Sequence, residues 1–181
     1  MRITLKLMGV LTLALALAGL ASAVVALWSD REPTAATVNL LHEPGRAASW
    51  AVDCQPDAEA VAAEDKGAVR FTVTKTTGTN WHVQVYQNGL PLKDGVTYRV
   101  RFRARAERPT PSYVGASVQE GDYHGVWTAD EFEMGTEWKE FSFTHVTSRA
   151  APGAANRAPV IGIGVARGSI WIADASVEAV P

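Results

Sequence analysis

Tyr98-Arg99-Val100-Arg101-Phe102-Arg103-Ala104-Arg105-Ala106 decides the fold class of this chain. A helix would spread the arginines around its axis. A strand gathers them on one face and places Tyr98, Val100, Phe102, Ala104 and Ala106 on the other. Just upstream, Lys93-Asp94-Gly95 is a turn signal. The same period of two recurs on either side. In Ala68 to Thr74 it aligns Val69, Phe71 and Val73, and in Trp81 to Gln87 it aligns Trp81, Val83 and Val85 against His82, Gln84 and Tyr86. Further on it recurs in Tyr113 to Gln119, Trp138 to Val146, Val160 to Ala166 and Ile170 to Val177. Gly162 and Gly164 alternate with Ile161, Ile163 and Val165, as in a strand that another backbone approaches closely. No stretch shows a period of 3.6. Seven or eight strands, each of about seven residues, predict an all-β domain of two sheets packed face to face.

The chain has 181 residues, 47% apolar and 20% charged, a globular composition. Its N-terminus differs from the rest: Leu7 to Trp28 is a run of 22 residues without a charge. Arg2 and Lys6, the apolar run and Ala21-Ser22-Ala23 fit a secretory signal peptide. Val24 to Trp28 prolong the hydrophobic helix to a length that spans a bilayer, which fits a retained signal anchor equally well. Both readings place the remainder outside the cytoplasm, secreted, periplasmic or membrane-anchored through residues 7–28. Residues 1–28 are thus signal or anchor, 29–36 a polar linker, and 37–181 one domain large enough to need no metal or disulfide staple. Beyond residue 28 there are fifteen basic and nineteen acidic side chains, a mild acidic excess that excludes a nucleic-acid partner.

The connection from Glu120 to Glu137 reads as a long functional loop, and Trp127 within it is the best candidate for an exposed ring. Trp81 belongs to the core by parity or to the rim by position, while Trp138 and Trp171 read as packing residues. Cys54 is the single cysteine, so no intramolecular disulfide forms, and His42, His82, His124 and His145 lack metal-ligand spacing. Asp130, Glu131 and Glu133 read as a solvated face rather than a glycosidase pair. No nucleophile elbow, phosphate loop or His-Glu-x-x-His motif is present, so an enzyme is not expected.

The order of these segments resembles the carbohydrate-binding modules of the cellulose- and xylan-binding jelly-roll type, galactose-binding-domain-like sandwiches, over roughly residues 38 to 180. Trp81-His82-Val83-Gln84-Val85 and Gly95-Val96-Thr97-Tyr98, ending in Ala104-Arg105-Ala106, are similar to the family's Trp-x-Val-Gln-Leu and Gly-x-Thr-Tyr strands. Glu137-Trp138-Lys139-Glu140-Phe141 is similar to its Trp-Lys-x-aromatic strand, and Gly164 with Ile170 to Val177 to its closing strands. The usual Phe-Glu-x-Gly turn after Asn-Leu is replaced here by His42-Glu43-Pro44-Gly45. The resemblance implies non-catalytic binding of a polysaccharide such as a β-glucan or xylan. It also implies a structural calcium, for which Asp174 matches the family's acid and Glu43 stands at the other end. A hard cation takes about six oxygens, and only these two side chains can be nominated. No other cofactor is required, and nothing in the sequence sets the oligomeric state.

Sugars are held by aromatic rings on their apolar faces and by planar polar side chains on their hydroxyls. His82, Gln84 and Tyr86 beside Arg101 and Arg103 supply that mixture if the two strands are neighbours, with Tyr123 and Trp127 closing over them. The competing reading makes the arginines a solvated sheet face. It makes the protein a structural or adhesive cell-surface sandwich without a sugar ligand.

Overall fold

The arginine-alternating segment is a strand with its apolar face fully engaged: Tyr98, Val100, Phe102, Ala104 and Ala106 are all buried. In this computed structural model the described residues are 37–181, so the signal, anchor and linker expectations for 1–36 lie outside them. Among the described residues the strands are β1 (Ala51–Cys54), β2 (Glu59–Asp65), β3 (Ala68–Lys75), β4 (Val83–Tyr86), β5 (Thr97–Ala106), β6 (Thr110–Val118), β7 (Gly125–Met134), β8 (Lys139–Val146), β9 (Asn156–Gly162) and β10 (Gly168–Ala179). They form two five-stranded antiparallel sheets, ordered β1-β4-β9-β6-β7 and β2-β3-β10-β5-β8. No described helix is long and apolar enough to cross a membrane.

The inner faces meet in a single core. Val69, Phe71, Phe102 and Ile172 from one sheet face Val83, Val85 and Ile161 from the other, all essentially inaccessible. Burying each such side chain contributes roughly 1.5–3 kcal/mol. Phe102 anchors an aromatic group with Phe132, Phe141 and Phe143, ring centroids 5.6–6.1 Å away. The register of β10 on β5 shifts between Ala173 and Ser176. Asn39 ties the chain entering the domain to this bulge: its Nδ2 donates to Ala175 O and its Oδ1 accepts from Val177 N, each at 3.0 Å.

Several expectations need correction. Ten strands form over the described residues, because β1 and β2 carry too little apolar alternation to stand out. The stretch 120–137 is not a long loop: β7 occupies most of it. β7 is an edge strand whose pairing to β6 shifts register twice, so its apolar residues do not keep a period of two. Trp81 lies in a one-turn 3₁₀ helix, Asn80–His82, ahead of β4 and is 49% exposed, so strand parity does not reach it. Trp138 and Trp171 do pack, but on the outer face of the sheet, where Arg105 lies over both rings, 5.5 Å and 3.9 Å from their centroids.

The two glycines do different things. A Cβ on Gly164 would lie 2.5 Å from Thr79 O and 2.8 Å from Val83 N, the close backbone approach expected of it. A Cβ on Gly162 would instead lie 2.0 Å from the ring of Tyr113, so there the neighbour is a side chain. Since the contacts of Gly164 are with backbone and cannot rotate away, Gly164→Ala is expected to cost about 1–3 kcal/mol. A fall of several degrees in the thermal midpoint checks this.

Candidate functional site

The outer face of the β1-β4-β9-β6-β7 sheet is incompletely filled. One register row runs Asp53, Gln84, Gly162, Tyr113 across β1, β4, β9 and β6. Because Gly162 has no side chain, the Tyr113 ring lies flat over it, and its hydroxyl meets Gln84 Nε2 at 2.6 Å. Burial raises the Tyr113 phenol above its ordinary pKa, so it stays neutral and accepts from Gln84. In the adjoining part of the sheet Val160 faces Gly115, whose Cβ position lies 3.4 Å from Ala129 Cβ. Small residues there leave a trough rather than a packed surface.

A groove of about 680 Å³ opens on this face, lined by Asp53, Gln55, Gln84, Tyr86, Asn88, Gln119, Glu120, Tyr123 and Arg157. A smaller recess of about 180 Å³ shares Gln84, Tyr123 and Arg157 with it and reaches Trp127. Arg157 is the organising side chain. It is only 8% exposed, donates from Nε to Ser117 Oγ at 2.6 Å, and holds Nη1 4.0 Å from Asp53 Oδ2. Its guanidinium lies against two tyrosines, 4.6 Å from the Tyr86 centroid and 5.1 Å from that of Tyr123. Each contact adds roughly 0.5–1 kcal/mol and gives a flexible ring one position.

Of the residues expected in the site, Gln84, Tyr86, Tyr123 and Trp127 come together and His82, Arg101 and Arg103 do not. Arg101 and Arg103 lie on β5, which belongs to the opposite sheet, so they face solvent on the other side of the sandwich. Arg103 pairs there with Asp174 at 3.2 Å and lies 5.3 Å from the Trp138 centroid. The His82 ring bonds Thr77 Oγ1 at 2.7 Å, outside the groove lining. Trp127 is not an exposed loop ring: it sits in β7, 7% exposed, stacked 5.6 Å from His145, which bonds Asp130 at 2.5 Å. Trp127 lines the smaller recess rather than the main groove.

Arg157, Asp53, Gln55, Asn88, Gln119 and Tyr113 were missed. Asp53 and Gln55 sit on and beside a strand with no visible alternation, and Arg157 precedes the expected start of its strand at Val160. A lone arginine between Asn156 and Ala158 was the available signal. For calcium, Asp174 and Glu43 are the two nominated residues. Asp174 is engaged by Arg103, Glu43 lies in a turn closed by its own carbonyl on Arg46 N, and the described residues hold no group of three or more His, Cys, Asp or Glu side chains that could bind a metal.

Residues 43–156 match the family model described as "Carbohydrate binding domain". The chain belongs to that family. It is a non-catalytic carbohydrate-binding module. Solved structures support the fold of this carbohydrate-binding module. A CBM4 structure shares 20% identity at a TM-score of 0.62, covering 72% of this chain and 86% of that one. Two cellulose-binding domains of Cellulomonas fimi beta-1,4-glucanase C are also similar. The second N-terminal one has a TM-score of 0.62 at 19% identity and covers 82% of this chain and 98% of its own. The first has 0.60 at 15% identity and covers 80% and 99%. No curated protein matches the chain.

Replacing Arg157 by Leu removes both ring contacts and leaves Asp53 and Ser117 without their partner. Unfolding in urea is expected to show a loss of about 2–3 kcal/mol.

Proposed function

We propose that this module binds a neutral β-linked polysaccharide, of the β-glucan or xylan class, along the groove across β1, β4, β9 and β6. The observation that carries this reading is the pairing of two Arg157-backed tyrosines with four amide side chains in one open trough. The guanidinium backs both rings from one side, and the remaining ring surface of Tyr86 and Tyr123 serves as platform for the apolar face of a sugar. Gln55, Gln84, Asn88 and Gln119 offer both donors and acceptors to hydroxyls. A neutral ligand is favoured because the one cation of the groove is balanced by Asp53 and Glu120. An anionic glycan would meet two carboxylates. An open trough also admits a chain that continues past both ends, unlike a pocket shaped for a terminal sugar.

The similarity to cellulose-binding domains from Cellulomonas fimi supports the same ligand class. Export, as a secreted or membrane-anchored protein, is supported by Arg2, Lys6 and the apolar run Leu7 to Trp28. A structural or adhesive surface role is the alternative, and it is the outcome if no glycan is retained. Calcium plays no part in this reading.

In binding to a panel of soluble and insoluble glycans, Tyr86→Ala and Tyr123→Ala are each expected to weaken retention about tenfold or more, the scale of a central aromatic contact. Arg101→Ala and Arg103→Ala, on the opposite sheet, are expected to leave it unchanged, as is a chelator of divalent cations.

A further inference from the structure

Resting on the groove reading above, a second level of organisation is visible in the turn that carries Tyr123. This residue is 55% exposed and has φ of 52°, a left-handed conformation that is uncommon for a side chain of its size. Its two neighbours are bonded to each other: His124 Nδ1 meets Asp122 Oδ1 at 2.6 Å, and His124 N donates to the same oxygen at 3.2 Å. The other ring nitrogen, Nε2, lies 2.9 Å from the carbonyl oxygen of Arg149, which itself has φ of 60°. Arg149 lies between β8 and β9 in a segment held by Ala150 N donating to Asp94 Oδ1 at 2.5 Å. One imidazole therefore joins two connections, each with a non-glycine residue in the left-handed region.

Both partners of that imidazole are acceptors. A backbone carbonyl carries no proton, and the Asp122 carboxylate carries none at neutral pH. A neutral imidazole has one N–H and one bare lone pair, so one contact would become lone pair against oxygen. We propose that His124 is the positioning residue of the groove: as an imidazolium it donates to Asp122 and to the Arg149 carbonyl at once, and it holds Tyr123 over Arg157 only while protonated.

The electrostatics agree in sign. The Arg149 carbonyl and then the Asp122 side chain hold the His124 pKa above its ordinary value, against partial desolvation and the Arg149 guanidinium, which lower it. The His124 side chain and then its backbone N–H hold Asp122 below the usual carboxylate range. A raised imidazole pKa means the clamp is complete below about pH 6.5 and is lost as pH rises through the raised value. The depressed carboxylate means the Asp122 half is complete above about pH 3.9 and is lost as pH falls through the lowered value. The groove is thus best organised in mildly acidic solution and loosens on the alkaline side. The other titratable histidine near the groove is His145, behind Trp127.

The test uses the full chain. Affinity for a retained glycan is measured between about pH 5.5 and 8.5, an interval centred on the histidine range, for wild type, His124→Gln, Asp122→Asn and His145→Gln. NMR of the imidazole nitrogens and amide exchange at Tyr123 are followed without ligand. The expected results are a fall in wild-type affinity of about threefold or more with rising pH, no slope in His124→Gln, a slope displaced to lower pH in Asp122→Asn, and an unchanged slope in His145→Gln. The ring should be doubly protonated at pH 6, and Tyr123 amide exchange, corrected for its intrinsic rise with pH, should quicken as the His124 imidazole loses its proton. A wild type that binds equally at every pH, a slope that survives in His124→Gln, or a neutral ring at pH 6 overturns the proposal. If no glycan is retained at any pH, the groove reading fails, and the ring and amide signals decide on the clamp alone.

Discussion

Burial of one face of β5 is the constraint on which the rest of the domain depends. Tyr98, Val100, Phe102, Ala104 and Ala106 cannot be covered by local structure, because a strand closes no bonds within itself. β8 and β10 flank it by hydrogen bonds, and the opposite sheet covers it from above. The chain meets this demand by changing sheets at most of its connections. Only β2 to β3 and β6 to β7 follow one another within a sheet. Alternating between layers places sequence neighbours on opposite sides of the sandwich and distant segments side by side.

The groove is a consequence of that weaving. Its walls come from β1, β4, β9, β6 and the turn before β7, segments spread over about a hundred residues. Gly162 makes room for the Tyr113 ring, and Gly115 and Ala129 keep the adjoining recess open by withholding bulk. The groove stays ordered because Arg157, almost buried, is tied to Ser117 and Asp53 and pressed against two tyrosines. A buried cation is costly unless such partners surround it. Here the partners are themselves the groove walls, so the interactions that stabilise Arg157 also fix the surface that meets a ligand.

The opposite face shows what the same residue types do without a trough. Arg105 is stacked on Trp138 and Trp171, Trp171 Nε1 donates to Asp65 at 2.8 Å, and Arg103 is paired with Asp174. The guanidiniums already occupy the rings there. Aromatic and arginine composition is thus shared by both faces; the groove and its amide side chains belong to the β1-β4-β9-β6-β7 face.

The alternation from Tyr98 to Ala106, the inward set Val69, Phe71 and Val73, and the outward direction of Gln84 and Tyr86 were all legible from sequence. Side-chain parity is a local property of extended backbone and needs no partner. The family resemblance was legible too, through the order and spacing of the segments Trp81 to Ala106, Glu137 to Phe143 and Val160 to Val177. What the sequence did not decide was which outward faces share a surface. It put Gln84 and Tyr86 beside Arg101 and Arg103 on condition that their strands are neighbours, yet the crossover between them separates the two pairs by the thickness of the core. Arg157 had no periodic signal at all, because its role depends on a bulged pairing with Ser117 and on two rings brought from other segments. Parity is set within a strand; adjacency is set by hydrogen bonds between strands far apart in the chain, and those exist only once the tertiary structure has formed.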